Sequence, residues 1–272
     1  MEPLVNQLAE QAQRKYYGKY RGLVTDNADP EGLGRLRLRV PSLLGEAETG
    51  WALPCLPFGG LADQGLFTIP EVGATVWVEF EEGGLSAPIW TGTFWRQGSE
   101  VPSEASGSEP TTRLLKTPSG HILQFDDESG AEQFRLVHPA GAEMTIDSNG
   151  TVAITDAQGA ALTLDASAST LTIEDANGNS ITMSATGTTV EDSNGNKIEM
   201  GPAGVKVQGQ QIVIQGTQVM LGGQGGEPLV KGTSFLTFFN THVHTCTAPG
   251  APSSPPVPPL TPAALSLGVM TT

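Results

Sequence analysis

Apolar and polar positions alternate in short runs along most of this chain, and each run stops at a glycine, a proline or an asparagine. Gly34-Arg-Leu-Arg-Leu-Arg-Val40 alternates apolar with basic residues and ends at Pro41. A period of two puts one side of an extended strand against a core and the other toward solvent. Residues 74–80 and 88–95 read the same way, with Gly- and Pro-rich turns at 54–60 and 81–84 between them. About five short strands in about 80 residues suit a small closed barrel, because closure removes exposed edges. Trp51, Trp77, Trp90 and Trp95 all fall in this stretch, where they are expected to fill the core or an interface.

From residue 113 the pattern shortens and repeats. Glycine recurs at 141, 150, 159, 178, 187, 195 and 204, with short alternating runs such as 142–146, 151–154 and 161–164 after it. Two longer copies, Asp175-Ala-Asn-Gly-Asn-Ser-Ile-Thr-Met183 and Asp192-Ser-Asn-Gly-Asn-Lys-Ile-Glu-Met200, lie 17 residues apart. Asn-Gly readily takes positive φ, and an Asp just before it can bond the local backbone. A fixed period of strand and turn predicts a β-solenoid or fibre rather than a sandwich. Leu4, Leu8 and Ala12 recur at helical spacing and predict a short amphipathic helix ahead of the barrel.

The pattern therefore divides the chain into an N-terminal helix or arm (1–16), a β-barrel (17–97), a Ser-, Glu- and Pro-rich linker (98–112), spike repeats (113–221) and a C-terminal tip region (222–272). The expected fold class is all-β. The repeats are poor in core. Each offers two or three inward apolar side chains, such as Ile181 and Met183, and no aromatic occurs between Phe134 and Phe235. Burying one such side chain is worth about 1.5–3 kcal/mol, whereas ordering a residue costs about 1–2 kcal/mol of backbone entropy. One chain alone is too thinly filled to hold the repeat. A slim prism wound from three chains covers each chain's apolar edges, so an intertwined trimeric β-helix is expected.

Composition narrows the function. Hydrophobic residues make up 38% and charged residues 16% of the 272, with 34 Gly and 20 Pro, so turns are frequent and helices few. The net charge of −15 repels nucleic acid and anionic headgroups, and no nucleic-acid partner is expected. Cys55 and Cys246 form no paired framework, which fits assembly in a reducing cytoplasm. The first residues lack the basic start and apolar centre of a signal peptide, and no run of 18 apolar residues predicts a membrane span.

Candidate chemistry is sparse. His242 and His244 would share one side of a strand, and a threefold axis would gather six imidazoles, a set that suits an octahedral transition metal. The alternative is a surface pair beside the Pro-rich run that follows. Cys246 lies on the same face. His121 and His138 stand alone at strand and turn positions and read as structural. Asp126, Asp127 and Glu128 read as solvated turn carboxylates. There is no nucleophile elbow and no phosphate-binding loop, and the Asn-Gly repeats lack the doubled Gly and Asp of calcium-binding nonapeptides. No catalytic residue is assigned, and the chain is not expected to be an enzyme.

A longer pattern adds a family. Gly22-Leu-Val-Thr-Asp-Asn-Ala-Asp-Pro-Glu-Gly-Leu-Gly-Arg-Leu-Arg-Leu-Arg-Val-Pro41, then Trp51-Ala-Leu-Pro54, Gly65-Leu-Phe-Thr-Ile-Pro-Glu-Val-Gly-Ala-Thr-Val-Trp-Val-Glu-Phe80 and Pro88-Ile-Trp-Thr-Gly92, resembles the OB-fold domain of phage baseplate protein V, shared with VgrG-type spikes. The resemblance implies a trimeric central spike, the envelope-piercing needle at the end of a contractile tail tube. The short linker leaves no room for a lysozyme-like insert. The resemblance also implies an iron ion at the tip, one per trimer, on His242 and His244, with other transition metals open. Implied partners are a baseplate hub or tail-tube protein, a PAAR-type tip protein and the target cell envelope. The implied location is the baseplate of a virion or injection particle. The competing readings are a trimeric β-helical tail spike that degrades glycans or binds a receptor, and a passive fibre. The near absence of aromatic sugar platforms in the repeats counts against glycan chemistry.

Overall fold

The computed structural model describes residues 15–105, 107, 109–217 and 232–242. The helix expected in the first 16 residues falls almost wholly outside them. The described chain is mostly β-structure, in one five-stranded and one eleven-stranded sheet. Described residues up to Gln208 form one compact unit and those from Gly209 a second.

The first sheet contains β1 (Tyr20–Asp26), β2 (Arg37–Arg39), β3 (Leu53–Pro54), β4 (Thr75–Phe80) and β5 (Pro88–Thr93), in the order β2-β1-β4-β5-β3. A bridge between Leu36 and Ala52 joins the two ends, with Leu36 N–H donating to Ala52 O at 3.1 Å and Ala52 N–H to Leu36 O at 2.8 Å. The barrel is thereby closed and its edges paired. The inward positions of the alternating runs supply the core: Val24, Leu36, Leu38, Val40, Val76 and Val78 are essentially buried, and Phe80 and Trp90 complete it. Pro41 ends the β2 run and opens a single helical turn, α1 (Pro41–Leu44), because its ring presets a helical φ at a position that needs no N–H.

Of the four tryptophans, one lies in this core. Trp90 is buried and its Nε1–H donates to Gly34 O at 3.1 Å. Trp51 and Trp77 are half-buried and Trp95 is 61% exposed. The guanidinium of Arg37 sits 5.1 Å from the Trp51 ring centroid, and that of Arg21 lies over both Trp77 and Phe94. Trp51 and Trp77 therefore line the barrel's outer surface under arginines.

The second sheet runs from β6 (Thr112–Lys116) through β7 (Ile122–Asp126), β8 (Gln133–Val137), β9 (Glu143–Ile146), β10 (Val152–Thr155), β11 (Ala161–Asp165), β12 (Thr170–Glu174), β13 (Ser180–Ser184), β14 (Gly187–Glu191) and β15 (Lys197–Gly201) to β16 (Gly204–Gln208). Every strand pairs antiparallel with the next, a meander in strict sequence order. The repeat thus closes through hairpins, rather than through the parallel coils of a single-chain solenoid.

Six of its turns are copies of one design, starting at Thr117, His138, Asp147, Asp156, Asp175 and Asp192. In each, the glycine three residues on has φ between +81° and +97° and its N–H donates to the first residue's carbonyl. That backbone position accounts for Gly141, Gly150, Gly159, Gly178 and Gly195 of the glycine period, whereas Gly187 and Gly204 open β14 and β16.

The linker is more ordered than its composition suggests. It makes two short 3-10 turns, Gly98–Glu100 and Ser103–Ala105. Arg96 pairs with Glu100 at 2.8 Å, and Glu104 reaches Lys116 of β6 at 2.6 Å. In the second unit, Gly232–Thr241 is a helix, α2. Phe235 and Phe239, one turn apart, approach to 6.0 Å between ring centroids, which is helical spacing.

Candidate functional site

The register of the meander determines which side chains share a face. Residues directly opposite one another in an antiparallel pair point the same way. Followed from strand to strand, the pairing traces Leu115, Leu123, Leu136, Met144, Ile154, Leu162, Ile173, Ile181, Val190, Ile198 and Val207, with every position apolar. A second row, two residues along each strand and so on the same face, runs through Phe125, Phe134, Ile146, Val152, Leu164, Leu171 and Met183 to Met200 and Val205, interrupted by Thr188 and headed by Arg113.

The opposite face is polar. Its middle row reads Gln124, Arg135, Thr145, Ala153, Thr163, Thr172, Thr182, Thr189, Glu199 and Lys206. At the foot of the sheet this polar side is partly covered, with Ile122 and Gln124 buried near the Glu104–Lys116 link. The apolar side is not. Ile154, Leu164, Ile173, Met183 and Ile198 keep between 41% and 46% of their surface exposed, and Val205 keeps 69%. A continuous apolar stripe of this length on one side of a sheet marks an interaction surface.

The charged groups of the two sheets serve geometry. Asp29, almost fully buried, accepts two bonds from Arg35 Nε and one at 2.6 Å from Nη2, plus the backbone N–H groups of Glu31, Leu33 and Arg35. The Arg35 guanidinium, first of these, holds the Asp29 carboxyl well below the usual carboxylate range. Together they close the 29–35 loop on itself. In the meander, Asp175 accepts from the Asn179 side chain at 2.6 Å and from the N–H groups of Asn177 and Asn179, which lowers its pKa to about 2. Asp156 and Asp192 are lowered by bonds of the same kind.

The sequence-derived candidates fare differently. His242 directly follows α2, and its backbone N–H donates to Phe238 O at 3.1 Å. The same-face argument for His242 and His244 requires a strand over 242–244, and α2 ends just before it, at Thr241. His244 and Cys246 lie outside the described residues. His242 Nδ1 is 2.5 Å from Phe239 O, and since a carbonyl can only accept, Nδ1 carries a proton in this contact. Among the described residues no group of three or more His, Cys, Asp or Glu could hold a metal ion. His121 and His138, read as solitary, meet: their rings stand edge to face with centroids 4.8 Å apart. Two turns stacked on one sheet edge bring them together, and local sequence carries no signal of that.

The comparisons bear on the barrel. The family model for the Type VI secretion system/phage-baseplate injector OB domain matches residues 20–95, the stretch from β1 to just past β5. Residues 20–95 belong to that domain family. The injector OB domain here is the closed five-stranded barrel with the Asp29–Arg35 clamp. A relative, the pre-baseplate central spike protein Gp5 of Enterobacteria phage T4, is 41% identical over 51 residues, which is 19% of this chain and 9% of that protein. The chain thus spans less than a tenth of that relative's length. A solved structure of the CPAP G-box domain, from a study of centriole elongation, overlaps 40% of this chain and 72% of its own at 14% identity with a TM-score of 0.27, too low to bear on the fold.

Proposed function

We propose that this chain is a structural spike subunit of a contractile phage tail or phage-like injection system, built as a homotrimer that forms the envelope-piercing needle. The observation that carries the reading is the uncovered two-row apolar face of the meander, joined through a short tethered linker to an injector OB domain. A sheet that is apolar on one side and threonine-rich on the other needs a cover of matching shape, and two further copies supply it. Covering each half-exposed Leu, Ile or Met recovers a share of the roughly 1.5–3 kcal/mol that full burial gives. The work of such a subunit is mechanical: it transmits load along a ladder of hydrogen bonds, and no catalytic group is required.

In this reading the OB domain docks a baseplate hub or tail-tube protein, the tip contacts the target envelope or seats a PAAR-type cap, and assembly precedes delivery from the cytoplasm. His242, with His244, would hold an iron or related ion at the tip. Bound there, the ion would supply cross-linking between chains, and the imidazoles would supply its nitrogen ligands. Light scattering on the purified full chain tests the trimer. The expected mass is three times the 28.4 kDa of one chain. Ile181→Asp, in the unbroken row, should abolish that species. A folded, stable single-chain species of the unaltered protein at micromolar concentration would overturn the proposal.

A further inference from the structure

The six matching turns differ in the side chain at their first position, and one of them is capped by an imidazole. Asp147, Asp156, Asp175 and Asp192 each accept, through Oδ1, the backbone N–H groups of the residues two and four further on, at 2.8–2.9 Å. His138 occupies the same place in the turn between β8 and β9. Its Nδ1 accepts the N–H of Ala140 at 3.1 Å, the bond the aspartates make two residues on. A backbone N–H can only donate, so His138 Nδ1 is unprotonated and the cap exists only for the neutral ring. The neutral ring then carries its proton on Nε2, which turns that nitrogen away from service as a metal ligand.

The neighbouring turn on the same edge supplies His121, 4.8 Å away between ring centroids. Its Nδ1 lies 3.0 Å from Ser119 Oγ and 3.3 Å from Thr117 Oγ1, hydroxyls that can turn to serve either protonation state. His138 has no such latitude. Protonating it places an N–H against the Ala140 N–H and a second positive charge beside a protonatable His121. The other charged groups at this edge are already paired. Lys116 at the end of β6 is held by Glu104 of the linker, and Glu143 at the start of β9 by Arg135 of β8 at 2.7 Å. Asp156, which opens the next turn along the edge, is bonded to its own turn's backbone. None of these carboxylates bonds either imidazole.

We infer that the His121–His138 pair is a proton-sensitive joint at the foot of the meander: on mild acidification the turn from His138 to Ala142 opens, while the aspartate-capped turns above it stay closed. Imidazole changes charge between about pH 5 and 8, and carboxylates held by several N–H groups remain charged well below that range. The turn that opens sits two strands from β6, which carries the Glu104–Lys116 tether, so acid would loosen the meander first near its linker end. This inference concerns one chain's own turns and does not depend on the trimer.

Hydrogen exchange of the full chain, read by mass spectrometry and corrected for the intrinsic pH dependence of exchange, tests it. Between about pH 7.5 and about pH 5, protection over 138–142 should fall roughly tenfold or more, while 156–160 and 192–196 hold theirs. His138→Asp restores the cap used by the other turns and should remove the pH response at 138–142. The aspartate turns of the unaltered protein serve as the reference within the same sample, so the comparison stands even where the variant folds poorly. Equal protection at the two pH values over 138–142, or an equal loss at all three turns, would overturn the joint.

Discussion

Asp175 shows how one residue type sets a turn. Its carboxylate takes the Asn179 side chain and two backbone N–H groups, and the pKa falls to about 2. A carboxylate whose folded pKa lies below its ordinary value of about 3.9 stabilises the fold above that ordinary value. The stabilisation disappears as pH falls through about 2. Melting temperature should therefore hold from neutral pH to about pH 4 as far as this group is concerned and decline toward about pH 2. Asp175→Ala should melt modestly lower at neutral pH and lose part of that acid slope. A variant melting like the parent at neutral pH would show that the bonds are not stabilising. The Asp-x-Asn-Gly turn was legible because every atom it uses lies within five residues. The His138 cap uses the same geometry in a sequence that reads Pro-Ala-Gly after it, and its meeting with His121 needs two hairpins in register. Residue chemistry alone was silent there.

Among elements, the hairpin joining β14 to β15 has the least room. A Cβ built on Gly187 would lie 1.9 Å from Met200 O, with φ at +145°. Gly187→Ala should therefore part these two strands at a cost of more than about 1 kcal/mol, seen as faster amide exchange over Lys197–Gly201; unchanged exchange there would show the backbone relaxes freely. The repeating strands were foreseen from alternation and glycine period, because a half-buried strand writes its own pattern. Two elements were not. The linker had no apolar pattern, yet Glu100 and Glu104 fold it through charge pairs with Arg96 and Lys116. The Phe235-Leu-Thr-Phe-Phe-Asn240 segment was assigned no element from its sequence, and it lies in α2, where the Phe235 and Phe239 rings meet one turn apart.

At the scale of the molecule, a barrel with a complete core is followed by a sheet with half a core. Leu36, Leu38 and Val78 are fully enclosed within one chain, whereas no position in the two apolar rows matches them. The spike reading resolves that imbalance by supplying the missing half from other copies. It also makes the tip metal measurable. Elemental analysis of protein purified without chelator should find one transition-metal ion per three chains, and the double variant His242→Ala with His244→Ala should lose it. Protein free of metal as isolated would remove iron from the proposal and leave the trimer to be judged by mass.

The sequence by itself determined the barrel, the strand-and-turn period and the family of residues 20–95, because alternation, positive-φ glycines and a long contiguous motif are local or nearly so. It also exposed the shortage of core in the repeats, which is a matter of counting. Only the tertiary structure decided that the apolar positions of eleven strands fall into two continuous rows on one face. Register is set by turn length, so a slip of one residue in any hairpin would scatter them across both faces. The same stacking of turns put His138 beside His121. Contacts made between hairpins leave no trace in the spacing of residues along either one.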